Sequence, residues 1–173
     1  MSLILFLHGP SSSGKSTLAA ELRRQSPRPF LHLSIDHLRS SGAWRQVDYP
    51  DWQAARPAFF EGFHRAVTGF ADAGNDLIIE HILDTPGWHS QLQDLLAGHQ
   101  MLFVGLRPSL AALHQREQRR GDRPRGSAVQ DAAHVHAGMR YDLDCDGTRD
   151  TEQLARDILT RINQPLPASG FFR

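Results

Sequence analysis

The chain alternates between short apolar blocks and stretches whose apolar positions recur every three to four residues. Leu3-Ile4-Leu5-Phe6-Leu7 is a continuous apolar run ending in Gly-Pro, the pattern of a strand covered on both faces. After Lys15, the spacing of Leu18, Ala19 and Leu22 predicts a helix, which Pro27 and Pro29 stop before a second short strand, Phe30 to Ile35. Ser40 to Pro57 reads as an irregular segment, and helical spacing returns over Ala58 to Ala73 through Phe59, Phe63, Val67 and Phe70. Gly74 and Asn75 turn the chain into a third strand, Leu77-Ile78-Ile79, followed by the polar pair Glu80-His81. A helix over Pro86 to Leu96, a fourth strand over Met101 to Leu106, and an Arg-rich helix over Leu110 to Arg119 come next. Two glycines and a proline interrupt regular structure in the segment Arg120 to Gly126. A helix over Ala128 to Ala137, a short strand near Tyr141 to Cys145 and a helix over Thr151 to Ile162 complete the series.

Such alternation predicts an α/β domain, with a parallel sheet of about five strands covered on both faces and ligands at the strands' carboxyl ends. Polar residues fall at those ends: His8 after the first strand, Asp36 after the second, Glu80 and His81 after the third, Arg107 after the fourth. One domain over residues 1–164 is expected, with an arginine-rich lid at about 116–127 and a loosely held tail over 165–173.

Composition narrows the function classes. Forty per cent hydrophobic and 22% charged residues are ordinary for a water-soluble globular chain, and zero net charge gives no field to attract nucleic acid. The run Leu3 to Leu7 is far short of the roughly 20 residues that cross a bilayer, so no membrane association and a cytoplasmic location are expected. A single cysteine, Cys145, allows neither an intrachain disulfide nor a cysteine-based metal cage, and it reads as a small buried residue. Eighteen arginines stand against one lysine, Lys15.

That lysine lies in G-P-S-S-S-G-K-S-T, where Gly9, Gly14, Lys15 and Ser16 satisfy G-x-x-x-x-G-K-[ST]. Glycines let the backbone turn so that successive N–H groups face a triphosphate, and the following helix adds its positive end. Gly9, Pro10, Ser11, Ser12, Ser13, Gly14, Lys15, Ser16 and Thr17 are thus the candidate phosphate-binding residues. Lys15 would reach the terminal phosphates, where a compact ammonium serves better than a guanidinium fork, and the Ser16 hydroxyl would ligate Mg²⁺.

Three further features suit phosphoryl transfer. Asp36 is a candidate base for an acceptor hydroxyl if the second strand lies near the first; capping the helix His37-Leu38-Arg39 is the competing reading. Glu80 ends a buried strand, as does the carboxylate that holds a magnesium-bound water in many phosphate-loop proteins, although any strand reaching the surface can end in an acid. His81 reads as a surface or structural residue. Arg116, Arg119, Arg120, Arg123 and Arg125 crowd a short stretch, and like charges gather stably where an anion is expected. Arg119 and Arg125 read as a solvated helix face, leaving Arg116, Arg120 and Arg123 for phosphate.

Taken together, Gly9 to Ser16, Pro27-x-Pro29 leading to Ile35-Asp36, Ile78-Ile79-Glu80, Arg116 to Gly126 with Arg120-Gly121-Asp122-Arg123, and His136-x-Gly138-x-x-Tyr141-Asp142 with Asp146 resemble the chloramphenicol phosphotransferase family of P-loop kinases. The resemblance implies a nucleotide-kinase-like three-layer fold, ATP as donor, a small-molecule hydroxyl as acceptor, Asp36 as base, and phosphate contacts from Arg120 and Arg123. His136, Tyr141 and Asp142 read as structural ties between the helix after the lid and the last strand. The chain departs from the family at Glu80-His81, where paired aspartates are usual, and over Ser40 to Pro57, which should shape the acceptor pocket. The competing function is a nucleotide-dependent switch without a metabolite acceptor, since the same loop would serve both.

Overall fold

Strand β1 (Leu3–His8) is buried at every position, as a continuous apolar run must be when helices cover both faces. It forms the centre of a computed structural model that describes residues 1–120, 131–132 and 134–173, with the backbone alone at residues 119 and 120. Four further strands join it: β2 (Leu31–Ser34), β3 (Leu77–Glu80), β4 (Gln100–Leu106) and β5 (Leu143–Cys145). Among the described residues they form one parallel sheet in the order β2-β3-β1-β4-β5. The order corrects the expectation that β2 lies near β1, because β3 intervenes and β2 forms an edge.

The pleat sends alternate residues to opposite faces, so each strand feeds two cores. Leu5, Leu7, Ile78 and Val104 pack with Leu18, Ala19 and Leu22 of α1 (Lys15–Gln25) and with Leu154, Ala155 and Ile158 of the last long helix, Thr151–Ile162. Ile4, Phe6, Ile79 and Phe103 face the other way, against Phe63 and Val67 on one helix and Leu92 on another. Helix, sheet and helix make the three layers of a P-loop kinase fold.

Between the strands, α2 (Ile35–Ser40) follows β2 directly, and α3 (Trp52–Asp72) begins six residues before the helical spacing predicted. Asp51 caps it by accepting the Ala54 N–H at 3.0 Å. Pro57 sits in the sixth helical position, where its missing N–H removes a single intrahelical bond, so the helix carries through. Then come α4 (Trp88–Leu95), α5 (Leu110–Arg120) and α6 (Thr151–Ile162). Of the helix expected over Ala128 to Ala137, residues 131, 132 and 134 are helical and 135–138 form a turn, so it ends earlier; its start lies outside the described residues.

The tail is not loosely held, contrary to expectation. Residues Gly170–Phe172 form a short 3-10 turn, and the Phe171 ring is fully buried between Phe6 and Phe103, with centroids 5.2 and 5.1 Å away. Asp142 pins this turn: its carboxylate accepts the Phe103 N–H at 2.7 Å, the Gly170 N–H at 2.7 Å and the Ser169 hydroxyl. His89 and Gln93 of α4 donate to the Phe171 carbonyl. Two adjacent aromatics, Phe171 and Phe172, in an unperiodic segment carry no spacing signal, and Phe6 and Phe103, the core partners of Phe171, lie far away in the sequence.

Candidate active site

β1 delivers the chain into residues 9–14, where three residues take positive φ, two of them the motif glycines. Gly9 has φ 152°, and a Cβ would stand 2.6 Å from the Leu106 carbonyl oxygen. Gly14, φ 100°, is the N-cap of α1, and Ser12 takes φ 60°, rare for a residue with a side chain. Lys15 Nζ donates to the carbonyls of Gly9 at 2.9 Å and Pro10 at 2.7 Å and to Ser13 Oγ at 3.3 Å, so the loop curls around the ammonium. The Ser11 N–H donates to the Asp131 carboxylate at 3.1 Å, an anion standing against a phosphate-loop amide.

Arg116 of α5 braces this loop. Its guanidinium donates to the Ser13 carbonyl at 3.0 Å and the Gly147 carbonyl at 2.8 Å, which holds the loop to the turn after β5. The sequence offered Arg116 as a phosphate ligand; its guanidinium rests on loop carbonyls and also lines the cleft beside the loop. The side chain of Arg120 and the whole of Arg123 and Arg125 lie outside the described residues, as does most of the segment expected to form a lid.

Glu80 and His81 diverge because they are consecutive on a pleat. Glu80 pairs with Leu7 of β1 and Ser34 of β2 and points toward α1, where its Oε2 accepts the Ser16 hydroxyl at 2.8 Å. Its Oε1 lies 2.6 Å from His32 Nε2 on the edge strand. Burial raises the Glu80 pKa, but the hydrogen bonds from His32 and Ser16 outweigh it and leave the carboxyl below its usual range. Hard oxygens from an ionised carboxylate and a hydroxyl, joined at the mouth of a phosphate loop, fit the coordination demands of Mg²⁺.

His81 turns to the opposite face, into α3 and α4, which agrees with a structural role. Gln91 donates its amide to Glu61, leaving its carbonyl oxygen to accept from His64 Nδ1 at 2.8 Å. A neutral His64 then presents a bare Nε2, so His81 Nε2–H is the donor across 3.0 Å. Burial lowers the His81 pKa to about 3 and also depresses that of His64, so the pair remains neutral. His8, immediately before the loop, makes a second relay. The Leu83 N–H donates to its Nε2 at 3.1 Å, so its proton sits on Nδ1 and goes to the Tyr141 oxygen at 2.7 Å; Tyr141 donates to His136 Nδ1 at 2.6 Å. These contacts match the structural reading of His136 and Tyr141.

Asp36 lies in the first turn of α2 and is not the cap; Ser34 is, through its Oγ and the Asp36 N–H at 3.1 Å. The Asp36 carboxylate pairs with Arg39 at 2.7 Å and is part-exposed. It lines, together with Lys15, Ser16 and Glu80, one cleft of about 460 Å³ at the carboxyl ends of the strands. Away from the loop, that cleft is walled by Phe60, His81 and Trp88, with Asp84 at its edge. The Phe60 and Trp88 rings are 4.2 Å apart, and Arg56 lies over both while reaching Asp84 at 3.0 Å. The sequence reading missed this wall because Phe60 and Trp88 lie on separate helices, and only the packing of α3 against α4 brings their rings together.

A family model described as "Chloramphenicol phosphotransferase-like protein" matches residues 2–163. Two Mycobacterium tuberculosis proteins carrying the name "putative O-phosphotransferase" are 26% identical over 179 residues, covering 90% of this chain and 80% of theirs. Among solved structures, the fold is similar to that of the M. tuberculosis APS kinase CysC in complex with AMPPNP and APS, with TM-score 0.71, 18% identity, and 94% and 98% of the two chains covered. It is also similar to the Deinococcus radiodurans tunicamycin resistance protein, with TM-score 0.68, 19% identity, and 95% and 98% covered.

Proposed function

Since the chain belongs to the chloramphenicol phosphotransferase-like family and is a P-loop phosphotransferase, we propose that it moves the terminal phosphate of ATP to a hydroxyl of a small molecule. The observation that carries this reading is the shared cleft: phosphate loop, Ser16–Glu80 pair and Asp36 on one side, aromatic wall on the other. About 460 Å³ lies within the range of small-molecule sites, about 300–1,000 Å³. The aromatic side gives an acceptor somewhere to bind, which a switch acting only through a protein partner would not need.

In this mechanism the loop amides and Lys15 take the β- and γ-phosphates, Lys15 exchanging loop carbonyls for phosphate oxygens. Asp131 would leave the Ser11 amide as the phosphates arrive. Ser16 and Glu80 would hold Mg²⁺, which supplies charge neutralisation on the phosphates when bound. Asp36 orients the acceptor hydroxyl and takes its proton; the hydroxyl oxygen forms the new bond to phosphorus, and the bond from phosphorus to the β-phosphate oxygen breaks to release ADP. Arg120, the last residue of α5, and Arg123 would meet charge on the transferring group. The enzyme works without a membrane or nucleic acid, in the cytoplasm.

Transfer from labelled ATP across a panel of hydroxyl compounds that includes chloramphenicol tests the proposal. The expected result is ADP release that rises with one acceptor and matches label appearing on it. Nucleotide binding with no acceptor-stimulated turnover anywhere in a broad panel would favour the switch.

A further inference from the structure

Glu80 has two oxygens, and the proposed Mg²⁺ role uses the one on Ser16. The other faces a different group. His32 Nε2 is 2.6 Å from Glu80 Oε1, with both side chains buried, and the His37 ring packs edge-on against His32 with centroids 4.3 Å apart. One ligand atom from each of His32, His37 and Glu80 lies within 4.8 Å of the other two. Two imidazoles and a carboxylate oxygen form a borderline-soft donor set, suited to Zn²⁺, Co²⁺ or Ni²⁺ and unlike the all-oxygen shell that Mg²⁺ takes.

We propose that His32, His37 and Glu80 form a second cation site, for a transition-metal dication of the zinc class, beside the phosphate loop. Bonds of about 2.0–2.2 Å in a tetrahedral shell would replace the proton between His32 Nε2 and Glu80 Oε1, parting these two atoms slightly from their 2.6 Å contact, and would draw in His37, which is able to move because it alone of the three is exposed. Its exposure also gives the ion a path in, toward two ligands already fixed by the register of β2 and β3. A fourth position remains for water or a ligand oxygen. An ion here would clamp the first turn of α2, which carries Asp36, to the sheet edge, and His37 is the next residue after Asp36. Two of the ligands come from facing strands and the third from the helix that follows, so the site depends on tertiary structure.

Binding is read with the metal alone, so its outcome is independent of nucleotide, acceptor or transfer. Tag-free full-length chain is titrated with Co²⁺, by visible absorption and equilibrium dialysis, and then with Zn²⁺ in competition. One equivalent should bind with the spectrum of a four- or five-coordinate cobalt, and Zn²⁺ should displace it. His37→Ala, an exposed change, should weaken binding at least about tenfold, and His32→Ala should do the same where circular dichroism shows it folded. His114→Ala, an exposed histidine elsewhere, should leave binding unchanged. A parent chain that takes up no cobalt, or a His37→Ala chain that binds it as tightly as the parent, overturns the site.

Discussion

The Ser16 hydroxyl donates to Glu80 Oε2 at 2.8 Å, joining the residue after the loop lysine to the end of the strand beside β1. If Glu80 holds magnesium through this pairing, Glu80→Gln keeps the shape and removes the charge. It should raise the Mg²⁺ concentration for half-maximal transfer about tenfold and lower kcat by about 10–100-fold. A magnesium titration of the turnover rate reads both; unchanged dependence would remove Glu80 from the site.

Asp36→Asn preserves the size and the first turn of α2 while abolishing proton acceptance. We expect kcat to fall by about 10²–10⁴ with KM for ATP within about threefold. Full activity with a confirmed acceptor would show that the base is another group.

Lys15→Arg places a planar fork in a ring of carbonyls sized for an ammonium. Transfer should drop at least about 100-fold with the thermal midpoint nearly unchanged. Steady-state turnover and a melting curve on one preparation separate loss of chemistry from loss of fold.

Phe171→Ala opens a cavity between Phe6 and Phe103 and should cost about 3–5 kcal/mol. Urea unfolding measures it. A change below about 1 kcal/mol would mean that the tail contributes little to the core.

The buried histidine pair makes stability pH-dependent. His81 is held near pKa 3 in the fold and returns to about 6.5 on unfolding, so between those values the unfolded chain binds more protons. Stability should therefore be full above about pH 6.5 and fall as pH drops, by up to about 2 kcal/mol from His81 alone at pH 5. His81→Gln should flatten the slope of unfolding free energy between pH 7 and 5. An unaltered slope would assign the acid sensitivity to other groups.

The elements were legible wherever periodicity was strong. Leu3–His8 and Thr151–Ile162 follow from apolar runs and helical spacing, and the loop glycines follow from φ values that side chains avoid. Pro57 hid the start of α3, because local propensity could not weigh a helix capped by Asp51 against one lost hydrogen bond. Asp36 was found as a candidate, but its competing role as cap belongs to Ser34, two residues earlier.

By itself, the sequence determined the phosphate loop, the alternation that makes a parallel sheet, and which polar residues stand at strand ends, since these depend on neighbours in the chain. The strand order, the sealing of Phe171 into the core, and the parting of Glu80 toward Ser16 and His81 toward His64 were decided only by the tertiary structure. Those outcomes depend on contacts between residues far apart in sequence and on which face of the pleat each side chain takes, and a local pattern records neither.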